Sequence, residues 1–217
     1  MAAPSLDHIS WAKSSLSVSF DMTELGELKA FIGVEVVRDT ARRSLKISQE
    51  AYISRVPKDN GMDQCATVFT PVDPAVPLSK PSEGFLATPS DKQRYQSAVG
   101  SLMYAMLGTR PDIAYPVGLV SSYSTNPSNE HWTAVNRIFR YLAGTKALGI
   151  IYRGSGICGG FTNSDWRGSN NRRSTSGYVF LLNGVTISWA SRKQSLVALS
   201  SIETEYMGIT QAVKEVL

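Results

Sequence analysis

The sequence predicts an α+β chain, and three observations carry that reading. Between residues 91 and 144 apolar side chains recur at three- and four-residue steps, the period of helices with one covered face. From Leu148 onward the period drops to two over several short segments, as strands require. Between the N-terminal third and the helical stretch, residues 70–90 hold five of the chain's ten prolines.

The elements follow in order. Residues 6–20 space Ile9, Leu16 and Phe20 loosely along a helix face. Phe31 to Val37 is apolar and β-branched, residues 39–43 are polar and Leu45 to Ser48 returns, so a hairpin is expected. A helix opens near Gln49. Pro57, which lacks an N–H and crowds the preceding turn, is expected to end it at Val56. Residues 70–90 read as an extended linker rather than a packed element. The next helix carries Tyr95, Val99, Leu102, Met103 and Met106, with Ser90 as its N-cap. A second begins near Pro111. A third carries Trp132, Val135, Ile138, Phe139 and Leu142 and stops at Gly144. These Met and aromatic stripes are expected in the core. LGIIYRGS, CGGFTNSDW, GYVFLLNG and VTISWASRK then read as strands, with Asn183-Gly184 as a two-residue hairpin turn. Ser200 and Glu203 match the capping-box pattern at the start of a last helix.

Composition is that of an ordinary globular chain: 217 residues, 42% hydrophobic, 18% charged. No apolar run nears the roughly 20 residues that cross a bilayer. The N-terminus lacks the layout of a secretory signal, so an intracellular setting, cytoplasmic or nuclear, is expected. Cys65, Cys158, His8 and His131 show no metal-ligand spacing, and the two cysteines are expected as unpaired thiols. No small-molecule substrate and no membrane partner are expected, and the oligomeric state stays open. The net charge of +4 is unevenly spread. Residues 131–200 hold nine basic groups, Arg137, Arg140, Lys146, Arg153, Arg167, Arg172, Arg173, Arg192 and Lys193, against Asp165 alone. That asymmetry fits a polyanion-binding face or a solvated basic surface, and charge does not choose between them.

The strings SFDMTELGELKAFIGVEV, LKISQEAYI, YQSAVGSLMYAMLGTRPDIAY, HWTAVNRIFRYLAGT, RRSTSGYVF and ISWASRKQSLVALSSIETEY cover nearly the whole chain. In this order they resemble the Pol polyprotein of copia-type retrotransposons, from the end of its reverse transcriptase into its ribonuclease H. The resemblance implies four parts. Residues 1–69 would be the end of the reverse-transcriptase palm, with FIGVEV as a primer-grip-like hairpin, and the start of the thumb. Residues 70–90 would be the linker, 91–147 a helical thumb and connection, and 148–217 a truncated ribonuclease H-like β-β-β-α unit. The basic strands would then follow the phosphate backbone of an RNA–DNA hybrid through Arg167, Arg172, Arg173, Arg192 and Lys193.

Chemistry in that family rests on carboxylates that clamp two Mg2+ ions. The YVDD-type turn of the polymerase is expected upstream of residue 1. For the nuclease, the family's first strand reads DADW where this chain reads NSDW, so Asn163 stands at the first acid. An amide is a neutral and weaker ligand for a hard cation. Asp165 shares the strand face of Asn163 but lies about 6.5 Å along the strand. Glu205, from the E-x-E-Y pattern with Glu203, is the second acid by resemblance, and two more are expected beyond Leu217. Asp165 and Glu205 are thus the remnant catalytic and Mg2+-binding candidates, and productive Mg2+ binding is not expected.

Three functions follow as expectations. The first is an inactive stretch of a reverse transcriptase and ribonuclease H polyprotein with residual hybrid affinity. The second is a Mg2+-dependent hybrid nuclease completed by a longer product or partner chain. The third is a basic nucleic-acid-binding module without catalysis.

Overall fold

The computed structural model describes residues 5–23, 26–154, 156–166 and 173–216. Among them the chain is mixed α/β, with six α-helices and two antiparallel sheets. Helix α1 (Leu6–Ser17) is capped by Ser5, whose hydroxyl accepts the His8 amide, and none of its residues is buried.

The strand expected over 31–37 is broken by a turn. β1 (Ala30–Phe31) pairs with β2 (Val34–Asp39), and Ile32 and Gly33 between them take φ of 48° and 72°. Two positive φ values make the tight turn whose twist suits a hairpin, and glycine supplies the second at no steric cost. The Tyr104 hydroxyl donates to the Ile32 carbonyl and holds the turn against α3. β3 (Ser44–Ser48) returns along β2 as expected. β4 (Gly149–Arg153) then adds to the free edge of β3, with buried Ile150 opposite Ile47. The segment expected to open the final β unit therefore belongs to the first sheet, because β3 offers it a paired edge and a covered apolar face.

Helix α2 (Glu50–Asp59) runs through Pro57 instead of ending before it. The proline sits in the last turn, where only one helical N–H is lost. The amides of Asn60 and Met62 bond the Val56 and Pro57 carbonyls, and the ring is buried beside Ile53 and Val56. Residues 70–88 hold no helix or strand, as composition suggests, yet they are docked. Arg137 donates to the Thr70 carbonyl, Tyr123 to that of Leu78, and Asn126 bonds both Phe85 and Ala87.

α3 (Pro89–Gly108) is capped by Thr88 rather than Ser90, since the Thr88 hydroxyl accepts the Asp91 amide and Pro89 fills the first turn. A 3-10 turn (Pro111–Ile113) leads into α4 (Ala114–Ser121), and α5 (Asn129–Gly144) closes the bundle. With α2 they enclose one core built around Ile53, Tyr95, Leu102, Val117, Ile138 and Phe139. Each fully buried apolar side chain there contributes about 1.5–3 kcal/mol before entropy is charged. Met103 is the exception among the expected stripe residues. It is 41% exposed, one position off the Tyr95–Val99–Leu102 row.

The second sheet has the order β5 (Cys158–Ser164), β6 (Thr175–Leu182), β7 (Val185–Lys193), with Asn183 and Gly184 in the expected positive-φ hairpin turn. α6 (Ser201–Val216) lies across it, and the Ser200 hydroxyl accepts the Glu203 amide at its start. This layer is polar. Ser174, Ser176, Gln194 and Thr204 are all buried in it. Gly208 permits the approach, since a Cβ there would collide with the Ser164 hydroxyl. The sheet is tied to the helical core where Trp189 donates from its indole to the Met106 carbonyl at 3.1 Å.

Candidate nucleic-acid interface

Strand alternation decides where the acidic positions sit. Thr162 and Ser164 lie beneath α6 at Gly208. Asn163, between them on β5, projects from the opposite face. It is exposed, and its Oδ1 accepts the Ser164 amide at 2.9 Å. Glu205 is half-buried on α6, the helix that covers the other face. Asp165 follows the end of β5 and closes the strand pair. Its amide donates to the Thr175 carbonyl at 3.0 Å and its carboxylate accepts the Thr175 amide. Asn163, at the position of the family's first acid, and Asp165, a metal candidate from sequence, are thus both turned to the local backbone. Among the described residues, no three His, Cys, Asp or Glu side chains gather where they could hold an ion.

The basic positions divide as well. Arg167 and Arg172 lie outside the described residues. Arg192 pairs across the ladder with Ser176, on the α6 face, where its charge acts on Glu215. Ser188 and Tyr178 donate to that carboxylate and hold it below the usual range, Ser188 at 2.7 Å. Lys193 pairs with Thr175 on the opposite face. Burial pushes its pKa below the ordinary lysine value, the nearby Asp165 opposes that, and Arg173 adds to the lowering. Among the described basic residues, Arg173 is near enough to act on Lys193, and Arg192 follows the other side of the strand while still lining part of the same cleft.

Lys193 lines a cleft of about 260 Å3 between β7 and α4, together with Tyr115, Gly118, Ser122 and Thr175. Sequence alone named Lys193 but not the α4 wall. Tyr115 and Gly118 read there as helix residues, and only the close passage of Gly118 over the Ser191 carbonyl shows which side faces the sheet.

Sequence reasoning also missed a buried ionic knot. Arg110 is 1% exposed and grips both oxygens of Asp112, at 2.9 and 2.7 Å, while donating to Thr145. The Tyr141 hydroxyl completes it at 2.8 Å from Asp112. Every donor of this knot faces the protein, so its role is to fix the α3–α4 corner beside the cleft.

Comparison with known proteins adds relatives. A family model described as reverse transcriptase (RNA-dependent DNA polymerase) matches residues 2–74. The chain is 44% identical over 214 residues to the retrovirus-related Pol polyprotein from transposon TNT 1-94 of Nicotiana tabacum, covering 94% of this chain and 16% of that protein. It is 36% identical over 204 residues to the retrovirus-related Pol polyprotein from transposon RE1 of Arabidopsis thaliana, covering 93% of this chain and 14% of that one. It is also 47% identical over 124 residues to the secreted RxLR effector protein 161 of Plasmopara viticola, covering 56% of this chain and 87% of that protein. The chain thus spans about a sixth of the length of the polyproteins it matches. No solved structure matches it. Among the described residues, no helix is long and apolar enough to cross a membrane.

Proposed function

Because the chain belongs to the copia-type retrotransposon Pol polyproteins, we propose that it is the stretch running from the end of the reverse transcriptase into a ribonuclease H-like unit, and that it holds an RNA–DNA hybrid without cutting it. One observation carries the second half of that reading. Asn163 stands where the family has its first carboxylate, and it projects from the sheet face opposite α6, which carries Glu205. Two-ion hydrolysis needs ions about 3.5–4 Å apart between several carboxylates. Here one candidate is a neutral amide, Asp165 is occupied by the Thr175 amide, and Glu205 belongs to the other face. The side chains present do not fit a Mg2+ pair, so no catalytic step is derived through one.

The affinity half of the reading rests on charge. Arg173 and Lys193 are near enough for their charges to act on each other, and backbone contact needs no base reading. The decisive assay incubates purified protein with a defined RNA–DNA hybrid and Mg2+. Binding is expected to weaken steeply with salt, with no cleavage. Mg2+-dependent cleavage that disappears in Glu205→Ala overturns the non-cutting reading, and absence of binding at low salt overturns the rest.

A second reading, cleavage once another polypeptide completes the unit, has its own observation. β5 is an edge strand, and α6 exposes Ile202, Tyr206, Ile209, Val213 and Val216 in alternating four- and three-residue steps. Such a stripe suits a covering element. Cleavage by the protein only when a downstream polyprotein segment is added would favour it.

A further inference from the structure

The cleft between α4 and β7 is built from both parts of the chain, the helical core and the second sheet, and it is lined by Lys193, its neighbour Arg192 and several hydroxyl-bearing residues. Lys193 is partly withdrawn from water there. Among the described residues no ion pair within 4.0 Å involves it, while Asp165, whose charge acts on it, already accepts the Thr175 amide. A cation kept from water without a paired anion is costly, and an oxyanion that entered the cleft would relieve that cost. Tyr115, Ser122 and Thr175 add hydroxyls to the same walls, groups suited to phosphate oxygens. The opening is roomy enough for a phosphate group, at about 260 Å3, and Tyr115 is 46% exposed at its rim.

We propose that this cleft seats one phosphate of a nucleic-acid backbone, with Lys193 as its charged contact and the hydroxyl-lined α4 wall fixing its position. The inference rests on the hybrid-holding reading above and makes it specific. The seam between the two parts would be the point of grip. A Lys–phosphate contact is blind to sequence, so any hybrid should be gripped alike.

Fluorescence anisotropy of a labelled RNA–DNA hybrid across a sodium chloride series tests it. Lys193→Gln is expected to weaken binding uniformly across sequences and to lower the log–log salt slope by about one. Lys146→Gln, exposed and not among the residues that line the cleft, is expected to leave both unchanged. Equal affinity and slope for Lys193→Gln and the unaltered protein overturn the seat while leaving hybrid binding intact. Failure of the unaltered protein to bind at low salt overturns the underlying reading instead. As a measurement free of any variant, acetylation of Lys193 is followed by mass spectrometry with hybrid or with inorganic phosphate present. Protection by hybrid at concentrations near its Kd supports the proposal. Protection by inorganic phosphate alone, with none by hybrid, would mark a small-anion site and overturn it.

Discussion

Gln194 ties the end of β7 to α6: its buried amide donates to the Thr204 carbonyl at 2.9 Å and to the Ser176 hydroxyl at 2.7 Å. The layer it joins holds few apolar contacts, so these bonds matter more than they would beside a hydrophobic core. Gln194→Leu removes both bonds, each worth about 0.5–1.5 kcal/mol, while Ser176 keeps the Ser164 hydroxyl as a partner. A drop in the urea midpoint, with faster hydrogen exchange confined to α6 and β7, is the expected result. An unchanged exchange pattern would show the tie to be idle.

Gly208 lets α6 settle onto β5. Gly208→Ala gains about 1 kcal/mol of helix propensity, yet the new methyl meets the Ser164 hydroxyl. Net destabilisation is expected, and Ser164→Ala in the same chain should restore part of it. Additive effects of the two changes, measured by thermal unfolding, would rule out the collision.

Arg110 and Asp112 form the buried knot, and breaking such a pair from one side costs about 3–5 kcal/mol. Arg110→Met should approach that loss in denaturant titrations. Burial raises the Asp112 carboxyl, but the Arg110 hydrogen bonds and charge, with Tyr141, outweigh it and hold the pKa below its ordinary value. A depressed carboxyl contributes stability above its unfolded value, and that contribution fades as the pH falls through the folded one. The gap between the unaltered protein and Arg110→Met should therefore narrow below about pH 4.

His131 is fully buried and works as a neutral ring. Its Nδ1 accepts the Ser128 amide at 2.9 Å, so Nε2 carries the proton and donates to the Ser79 carbonyl at 2.8 Å. Burial lowers its pKa, partly opposed by the Ser79 hydrogen bond and by Glu130. A lowered histidine favours folding above its unfolded value of about 6.5 and loses that contribution as the pH falls below it. Stability should thus fall between pH 7 and 5.5, and His131→Gln should flatten the curve. Equal pH dependence in both proteins would remove the ring from the account.

The helices were legible because their stripes are long. Tyr95, Leu102, Ile138 and Phe139 report burial through spacing alone, and the structure buries all four. What spacing cannot report is which strand a short strand joins. Gly149–Arg153 has the same period whether it opens the second sheet or closes the first, and Ile47 decides it from a hundred residues away. Pro57 misled for a related reason, since a proline's effect depends on how many helical amides follow it. At the candidate site, period two puts Asn163 and Asp165 on one strand side, but β5 ends at Ser164 and Asp165 follows it. The period could not show that Asp165 would be taken up by Thr175, or that α6 would cover the opposite face.

The proline-rich segment carries a mechanical consequence. Fastened at Thr70, Leu78, Ser79, Phe85 and Ala87, it cannot serve as a slack tether between moving halves. Pull on one end and the load passes into α4 and α5, so a glycine-serine spacer of equal reach would soften the whole bundle rather than merely lengthen a leash.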